Sequence, residues 1–399
     1  MHIAVSYHPG REHTASTLLR SAGELARVEA FNDMAAAEPF WRRLEGAGSL
    51  ATPYQRFDFL AAWQHHVGTR TGITPWIIVG FDCAGEPLFL WPLGRSRKGP
   101  LTLGRFLGSK HANFNMGLWR PEVLAGITAQ ELRDTFARVA GSVDLVALFN
   151  QPLSWNGIAN PFSLLPHQPS VDVSSRLGLA RTDSDAINDV LTASMRSRLR
   201  TKERKLQKLA GYRYLQGSTA DDIDRLLQSF FKLKSAHMAA QGLGNVFAEP
   251  GVAEFLCAAC HCRLPNGRPL IEIHALEGGG EVLALFGATI DEHRFSSMFN
   301  SYTLGDNSRH SPGLILLMHM VTECARRGLR SFDIGVGRAH YKSFFCKEPE
   351  PLFDSFLPLT PRGQLAAAGL RAAFAVKRGI KSNDKVWAAI RALRRARAR

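Results

Sequence analysis

A helix predicted for residues 312–327 constrains the fold most, because the sequence specifies both of its ends. Ser311 is a favourable N-cap residue, and Pro312 suits the first helical turn. Gly328 follows two arginines, which is a typical C-terminal signal. We therefore predict a helix of about four turns that begins directly after Ser311.

Apolar runs surround this helix on both sides. Three of them precede it, at residues 269–276, 282–290 and 295–302, and a fourth follows at 331–336. The glycine-rich segment 277–281 joins the first two runs, which is typical of a hairpin. We predict a three-stranded antiparallel meander, then the helix, then a further strand that returns beside the meander.

The start of the helix has the chemistry of an anion site. Unpaired backbone N–H groups and the positive end of the helix dipole converge there. Gly313 has no side chain, so a bulky anion can approach the backbone closely. These features predict a phosphate-binding site, although the tripeptide Ser-Pro-Gly can also serve only as a helix start.

The same order of elements occurs earlier in the chain, displaced by roughly 190 residues. Residues 76–91 predict a hairpin, a capping box at 128–131 opens a helix that runs to about 140, and 143–149 predict a strand. The first copy has no Ser-Pro-Gly at its helix start. We interpret it as an internal duplication whose first copy keeps the fold without the anion site.

A chain of 399 residues exceeds the usual size of one domain, so two domains are expected. We predict an N-terminal domain at 1–160, a linker rich in proline and serine at 161–180, and a C-terminal domain at 181–360. The remaining residues, 361–399, form a basic tail.

The net charge of +14 is concentrated in two segments. Residues 196–213 carry a net charge of +7 and residues 362–399 a net charge of +10, so the rest of the chain is slightly acidic. The first segment lies on a long basic helix predicted for 187–209, and another helix is predicted for 220–241. The basic segments are either surfaces for acidic partners or solvated faces.

The tail predicts amphipathic helices at 363–375 and 384–396. Basic residues beside apolar ones suit the surface of an anionic membrane, but a solvated basic tail has the same composition. No apolar stretch reaches the roughly 18 residues that span a bilayer, and residues 1–10 do not have the pattern of a secretory signal. We expect a cytoplasmic protein, with peripheral contact at the inner membrane face as the alternative.

Six cysteines in a chain of this length do not suggest a disulfide framework. Cys257, Cys260, His261 and Cys262 cluster within six residues, as in some metal sites. No second Cys/His pair follows at the distance of a zinc site, and the apolar spacing fits a helix. We therefore predict no metal there.

The order of three strands, helix and strand, with Ser-Pro-Gly at the helix start, resembles the core of the GNAT acyltransferase superfamily. Ser-Pro-Gly at 311–313, Asp-x-Gly-x-Gly at 333–337 and Tyr-Lys at 341–342 are most similar to the CelD-like (cellulose-biosynthesis-associated) acetyltransferases. The tandem arrangement is also similar to that of Fem-type aminoacyltransferases. The resemblance implies an α/β fold of two tandem GNAT-like domains, each a mixed, mostly antiparallel sheet flanked by helices.

The resemblance also implies a donor site at the helix start. Backbone N–H groups of Ser311, Gly313 and Leu314 would hold the pyrophosphate of acetyl-CoA or another acyl-CoA as co-substrate, with no metal. Arg309 would add positive charge, and His310 would do the same or remain a solvated loop residue.

Catalytic candidates follow from the same resemblance. Tyr341 would protonate the departing coenzyme A sulfur, and Lys342 belongs to the same pair, although a capped strand end with a solvated lysine has the same sequence. Asp333 is either the base or a structural partner of Arg338 or Lys342, because a carboxylate within a strand is costly to bury unpaired. His340 is the alternative base, since its ordinary pKa lies near neutrality.

Three function hypotheses result. The first is transfer of an acyl group, most simply acetyl, to an amine or hydroxyl acceptor in polysaccharide, cellulose or envelope biosynthesis, with Lys234, His237 and Phe247 as candidate acceptor contacts. The second is a tRNA-dependent aminoacyltransferase, because only 309–313 approximates the usual GNAT pyrophosphate signature and the basic helix would suit RNA. The third is a non-catalytic scaffold that binds a membrane or a protein partner.

Overall fold

The structure is a computed structural model, and it describes residues 11–12, 24–46, 48–179, 183–337, 339–346, 349–383, 385–386 and 390. The described residues divide into two compact units. The first unit lies within 1–171 and 351–377, and the second within 172–350 and 378–399.

The strands follow the chain in this order: β1 (Arg11–Glu12), β2 (Arg27–Phe31), β3 (Thr74–Phe81), β4 (Pro87–Lys98), β5 (Leu101–Phe106), β6 (Leu118–Trp119), β7 (Leu145–Pro152), β8 (Ser154–Trp155), β9 (Ile158–Ala159), β10 (His167–Pro169), β11 (Ser174–Gly178), β12 (Arg213–Gln216), β13 (Glu272–Gly278), β14 (Glu281–Ile290), β15 (Arg294–Tyr302), β16 (Ser331–Val336), β17 (Pro349–Glu350) and β18 (Leu352–Pro358).

The helices follow in the same way: α1 (Met34–Gly46), α2 (Phe57–Trp63), α3 (Pro121–Leu124), α4 (Ala129–Arg138), α5 (Asp183–Val190), α6 (Ala193–Leu206), α7 (Ala220–Ala240), α8 (Val252–His261), α9 (Pro312–Arg326) and α10 (Pro361–Ser382). Among the described residues, no helix is long and apolar enough to cross a membrane.

The first unit is built on a mixed sheet with the strand order β1-β2-β3-β4-β5-β7-β18-β10, and β6 pairs with β4. The neighbours are antiparallel except for β5 and β7, which run parallel. Large aromatic side chains fill its core, where Trp41, Trp76, Trp91 and Trp119 are almost completely buried. Burial of such side chains is the main stabilising term for a unit of this size.

The second unit is built on a sheet with the order β12-β13-β14-β15-β16-β11-β17. Its centre is the antiparallel meander β13-β14-β15, as predicted. β16 pairs parallel to β15 only where residues 294–296 face 331–333. Beyond that short ladder the two strands separate, and an extra residue in β15 at Met298 forms a bulge that bends the strand further.

Helix α9 covers this sheet and connects β15 to β16. It packs against β13, β14 and β15, and its side chains at 315–318 are buried in the same core as Phe295 and Phe332. On β15, Phe299 contacts Phe230 of α7 with ring centroids 4.6 Å apart. Both predicted features of this half, the meander and the crossover helix, are therefore confirmed, and the fold is a pair of mixed sheets flanked by helices.

The basic helix predicted for 187–209 is wrong as a single element, because it is divided into α5 and α6. Thr192 is the N-cap of α6, and its hydroxyl accepts a hydrogen bond from the N–H of Met195 at 3.3 Å. The guanidinium of Arg196 donates to the carbonyls of Asn188 and Leu191 and so satisfies the last carbonyls of α5.

The predicted linker 161–180 also differs from the structure, since it contains β10 and β11. β10 pairs with β18 in the first unit, whereas β11 pairs with β16 and β17 in the second. The sequence of β11, Ser-Ser-Arg-Leu-Gly, has no apolar alternation, so only its tertiary partners make it a strand. Residues 352–358 likewise belong to the first unit rather than to the predicted C-terminal domain.

Some predictions lie outside the described residues. They concern the N-terminal segment 1–10, Arg338 as a partner of Asp333, and most of the second tail helix at 384–396. The first tail helix, predicted for 363–375, is part of α10.

We predict that Gly287→Ala destabilises the second unit. An alanine Cβ at this position would lie 2.1 Å from Cζ of Phe299, so the ring must shift in a packed core. We expect a loss of about 1–3 kcal/mol of unfolding free energy. Urea denaturation followed by far-UV circular dichroism measures this loss. Tryptophan fluorescence is less suitable, because the described tryptophans lie in the first unit.

Gly178→Ala is the matched control for this substitution. It makes the same chemical change on another strand of the same unit, but the new Cβ would meet no atom within 4 Å. We expect it to change stability by less than about 0.5 kcal/mol. Equal effects of the two substitutions would contradict the packing argument.

Candidate active site

A cavity of about 240 Å³ lies in the second unit where β15 separates from β16. Its lining brings together the N-terminus of α9, the end of β15 and the segment after β16. The lining residues used below are Asn300, Tyr302, Ser311, Gly313, Leu314 and Tyr341. Three of the five predicted donor-site residues and one of the four predicted catalytic residues therefore share one cavity.

Ser311 occupies the N-cap position of α9, but its side chain does not cap the helix. Its backbone is left-handed, with φ of 56° and ψ of 51°, and its hydroxyl instead accepts a hydrogen bond from Nζ of Lys202 at 2.7 Å. A non-glycine residue in this conformation costs roughly 1–3 kcal/mol and clusters at functional sites. The predicted helix start is correct, and Ser311 is the N-cap residue, but its side chain forms no bond to the helix N–H groups.

The backbone N–H groups at this end of α9 are not equally available. The N–H of Ser311 donates to the carbonyl of Ser308 at 2.9 Å, and the N–H of Leu314 donates to the carbonyl of Ser311 at 3.0 Å. Pro312 has no N–H. Of the N–H groups of residues 311, 313 and 314, only that of Gly313 has no hydrogen-bond acceptor within the described part of the chain. The side chain of Tyr302 lies beside Gly313.

The helix start is strongly electropositive. Arg309 and His310 end a 3-10 helix, Asp306–His310, that leads into α9. Helix α6 packs against that segment and adds Lys202 and Lys205. Burial lowers the pKa of His310, and the charges of Arg309, Lys205 and Lys202 lower it further. Cations and a positive helix dipole thus meet at one place, which is the requirement for binding a phosphate.

The start of the corresponding helix of the first unit, α4, is capped and negatively charged. Its capping box is formed, because the hydroxyl of Thr128 accepts from the N–H of Glu131 and a Glu131 carboxylate oxygen accepts from the N–H of Thr128. These bonds satisfy the helix start, and the carboxylate makes it negative. An anion is therefore not attracted to this end of α4, which agrees with the interpretation of the first copy.

Tyr341 lies in the 3-10 helix His340–Phe344 after β16 and faces the cavity. Its hydroxyl oxygen accepts a hydrogen bond from the side-chain amide of Asn300 at 3.1 Å, across the gap between β16 and β15. Burial raises the pKa of Tyr341 to about 12, so the hydroxyl is protonated at neutral pH. Because Asn300 occupies the oxygen, the hydroxyl hydrogen remains available to a group in the cavity.

Asp333 is fully buried and does not line the cavity. One carboxylate oxygen accepts from Nε of Arg294 at 2.9 Å and from the hydroxyl of Ser296 at 2.6 Å, and the other accepts from the N–H of Gly335 at 2.9 Å. Burial raises the pKa of Asp333, and the guanidinium of Arg294 opposes that change. This geometry favours the structural alternative, but the ion-pair partner is Arg294, which the sequence did not suggest.

Arg294 extends the same ion-pair group to a third strand. Its two terminal nitrogens donate to the carboxylate of Glu350 on β17 at 3.0 and 2.6 Å. The guanidinium is thus held by two carboxylates from β16 and β17 while its own residue begins β15. These bonds satisfy a charge that would otherwise be very costly to bury.

The other two predicted catalytic residues are placed outside the cavity. Lys342 is buried, and its ammonium group donates to the carbonyls of Gly335 at 2.8 Å and Val336 at 3.1 Å rather than to Asp333. Burial lowers the pKa of Lys342 to about 8. His340 is exposed, and its ring packs against Phe344.

Two candidate acceptor contacts, Lys234 and His237, lie on α7, and the third, Phe247, lies on the 3-10 helix Val246–Ala248 that follows it. Nζ of Lys234 donates to the backbone carbonyl of Asn300 at 3.2 Å and lies 5.4 Å from the ring centre of Phe247. Burial lowers the pKa of His237, whose ring packs against Tyr302. Both residues therefore support the end of β15 from the side of α7.

Sequence reasoning missed two residues that the structure places at the site. Lys202 lies 109 positions before Ser311, and only the packing of α6 brings the two together. Asn300 lies within a predicted strand and has no local signal of its role. The basic character of α6 was visible in the sequence, but the side chain that reaches α9 could not be selected from it.

We predict that Asp333→Asn destabilises the second unit by about 3–5 kcal/mol, as expected when one partner of a buried ion pair is removed. Urea denaturation followed by circular dichroism measures the change. His340→Ala is the control, and its exposed side chain should contribute less than about 0.5 kcal/mol. An Asp333→Asn variant of parental stability that has lost acyl transfer would show instead that Asp333 is the base.

Comparisons with known proteins support the description of the second unit. Residues 193–343 match the family model described as an acetyltransferase (GNAT) domain. That segment contains α6, the meander, α9, β16 and Tyr341. A search of curated protein sequences returns no significant match.

Solved structures show the same fold at low sequence identity. FemX is 11% identical, with 84% of this chain and 98% of that chain covered and a TM-score of 0.55. A conserved protein of unknown function from Bacteroides thetaiotaomicron is 12% identical, with coverages of 82% and 99% and a TM-score of 0.52. The C-terminal domain of a protein designated a lysylphosphatidylglycerol synthetase from Agrobacterium fabrum is 10% identical, with coverages of 86% and 96% and a TM-score of 0.50.

At these identities the solved structures establish the fold alone, and the family model identifies the second-unit domain. Residues 193–343 are therefore similar to the acetyltransferase (GNAT) domain family, which supports a transferase activity for the second unit.

Proposed function

We propose that the second unit transfers an acyl group, most simply acetyl, from acyl-CoA to an amine or hydroxyl acceptor. The observation that carries this proposal is the cavity that joins the open N-terminus of α9 to the hydroxyl of Tyr341. One end of this cavity suits a phosphate, and the other suits the leaving group of a thioester.

The donor pyrophosphate would lie at the start of α9. The N–H of Gly313 donates to it, and Lys202, Lys205 and Arg309 neutralise its charge. Lys202 would exchange the hydroxyl of Ser311 for a phosphate oxygen or bond both at once, because an ammonium group has three donors. A charge-assisted bond of this kind is stronger than the neutral bond that it joins or replaces.

The acceptor would attack the thioester carbonyl carbon, and the carbon–sulfur bond would break as the carbonyl re-forms. The departing sulfur takes up the negative charge, and the hydroxyl of Tyr341 donates its proton to it. The amide of Asn300 holds the hydroxyl oxygen in place. Positioned acids of this kind contribute about 10²–10⁴-fold to the rate.

The proton of the acceptor would leave through water. Among the described residues that line the cavity there is no carboxylate and no imidazole. Asp333 is engaged with Arg294, Ser296 and Gly335, and the proposal gives it no part in proton transfer. Alignment of the two reactants is then the main contribution of the protein, as it is for many bimolecular transfers.

The acceptor class that we propose is a sugar amine or hydroxyl in polysaccharide or envelope biosynthesis. It rests on the resemblance of Ser-Pro-Gly, Asp-x-Gly-x-Gly and Tyr-Lys to the CelD-like acetyltransferases. We further propose a cytoplasmic location, with the basic helix α10 and the residues after it as the part that would contact an anionic membrane surface.

A second candidate function is aminoacyl transfer from tRNA. Arg200 and Arg204 on α6, and Lys208 just after it, are exposed, and this extended basic surface suits an RNA backbone. The fold shared with FemX is compatible with this function. The two functions differ in the donor that the α9 site binds.

We predict that coenzyme A binds to the parent protein and that Gly313→Glu weakens binding at least about 100-fold. The new carboxylate would extend into the cavity, where a like charge within about 4 Å of a phosphate is strongly repelled. Lys202→Ala should weaken binding about tenfold through loss of one charge-assisted bond. Isothermal titration calorimetry with coenzyme A and acetyl-CoA measures both effects.

Lys208→Ala is the matched control, because it removes the same charge from an exposed position on the same basic segment. Its affinity for coenzyme A should remain within about twofold of the parent. No binding of coenzyme A by the folded parent would overturn the acyl-CoA proposal. Binding of tRNA that falls steeply with salt would then favour aminoacyl transfer.

We predict that Tyr341→Phe leaves the affinity for coenzyme A within about twofold and lowers acyl transfer by about 10²-fold, because only the proton donor is removed. Release of coenzyme A from acetyl-CoA, with an amine such as glucosamine as probe acceptor, measures the rate. Ser343→Ala, on the same 3-10 helix but exposed, is the control. A Tyr341→Phe variant with the parental rate would exclude Tyr341 as the acid.

A further inference from the structure

Helix α8 carries the cysteine-rich segment that the proposed acyl transfer does not use. Cys257 and His261 are separated by four residues on this helix, so their side chains lie on the same face, one turn apart. Cys257 is exposed, and His261 is partly exposed. Cys260, in contrast, is buried in the core.

A third ligand comes from a different helix. α7 packs against α8, and Asp224 near the start of α7 faces His261, with 2.8 Å between Oδ1 of Asp224 and Nε2 of His261. One carboxylate oxygen, the thiol sulfur of Cys257 and a ring nitrogen of His261 all lie within 4.8 Å of one another. The sequence alone predicted no metal at this segment, because no second pair of ligands follows it and the third ligand, Asp224, lies 33 positions before Cys257.

We propose that Asp224, Cys257 and His261 bind a divalent transition metal ion, with Zn²⁺ as the first choice, and that the ion clips α7 to α8. Thiolate, imidazole and carboxylate are the three side-chain ligands that Zn²⁺ takes in proteins. On binding, the thiol of Cys257 loses its proton to solvent. The thiolate and the carboxylate then balance the two positive charges of the ion.

The geometry needs only a small contraction. Ligand atoms around a tetrahedral Zn²⁺ lie roughly 3.5 Å apart, given bonds of about 2.0–2.3 Å. The present separations, at most 4.8 Å, require side-chain rotations, and the exposed side chain of Asp224 and the partly exposed side chain of His261 have room for them. Three protein ligands leave a fourth position for water.

The proposed ion has a structural role and takes no part in the acyl transfer. The same helix α7 also carries Lys234, ten residues after Asp224. The ammonium group of Lys234 donates to the backbone carbonyl of Asn300. Fixing the start of α7 on α8 would therefore steady the helix that supports the end of β15. This inference does not rest on the proposed acyl donor or acceptor.

Titration of Co²⁺ into the full-length, reduced and metal-free protein tests the proposal. Co²⁺ takes the same ligands, and a thiolate bond to it gives a charge-transfer absorption band. We expect one equivalent to bind and Zn²⁺ to displace it. Loss of outer hydrogen-bond partners already weakens metal sites about 10–100-fold, so Cys257→Ser and His261→Ala should each weaken binding at least about 100-fold.

Two cysteine variants serve as matched controls. Cys262→Ser removes the adjacent thiol, whose sulfur lies 3.9 Å from the carbonyl oxygen of Arg263, and Cys83→Ser removes an exposed thiol of the first unit. Both should bind Co²⁺ as the parent does. The proposal is overturned if the parent shows no thiolate band, or if the band persists in Cys257→Ser and disappears in Cys262→Ser.

Thermal unfolding gives a second readout that does not depend on absorption. Zn²⁺ should raise the unfolding temperature of the parent but not that of Asp224→Asn, because an ion that binds only the folded state stabilises it. The circular dichroism spectrum of each variant verifies that it is folded. An equal upward shift in the parent and in all three ligand variants would also overturn the proposal.

Discussion

The second unit depends on one buried guanidinium. Arg294 begins β15 and bonds at the same time to Asp333 on β16 and to Glu350 on β17, so it ties together three strands at one end of the sheet. The parallel ladder between β15 and β16 is confined to this end. Because the strands are held there and not beyond, they can separate at the other end, and the cavity opens where they do.

The open end is completed by a helix start that is not closed by its own side chains. Ser311 takes a left-handed backbone conformation and gives its hydroxyl to Lys202, so the N–H of Gly313 remains without an acceptor among the described residues. In α4 of the first unit, Thr128 and Glu131 close the equivalent end with two reciprocal bonds. The two units thus use one order of strands and helix but differ in the cap at the helix start, and we propose that this difference decides which helix start binds an anion.

Much of this arrangement was predictable from local signals. The meander β13-β14-β15, helix α9 and strand β16 were predicted to within about three residues, because apolar periodicity and turn residues act over short distances. The division of the basic helix at Thr192 was not predicted, although threonine is a favourable N-cap, because the apolar spacing continues through it. β11 could not be predicted, since its few apolar residues pair only through distant strands.

In the candidate site, too, some features follow from local sequence and others only from tertiary contacts. The sequence by itself determined where a helix start could hold an anion and placed Tyr341 just after a strand, since both depend on adjacent residues. Only the tertiary structure decided that Lys202 faces this start, that Asn300 bonds to Tyr341, and that Asp333 pairs with Arg294. These contacts join residues 39 to 109 positions apart, and their energies depend on burial and distance in space, which local sequence patterns do not contain.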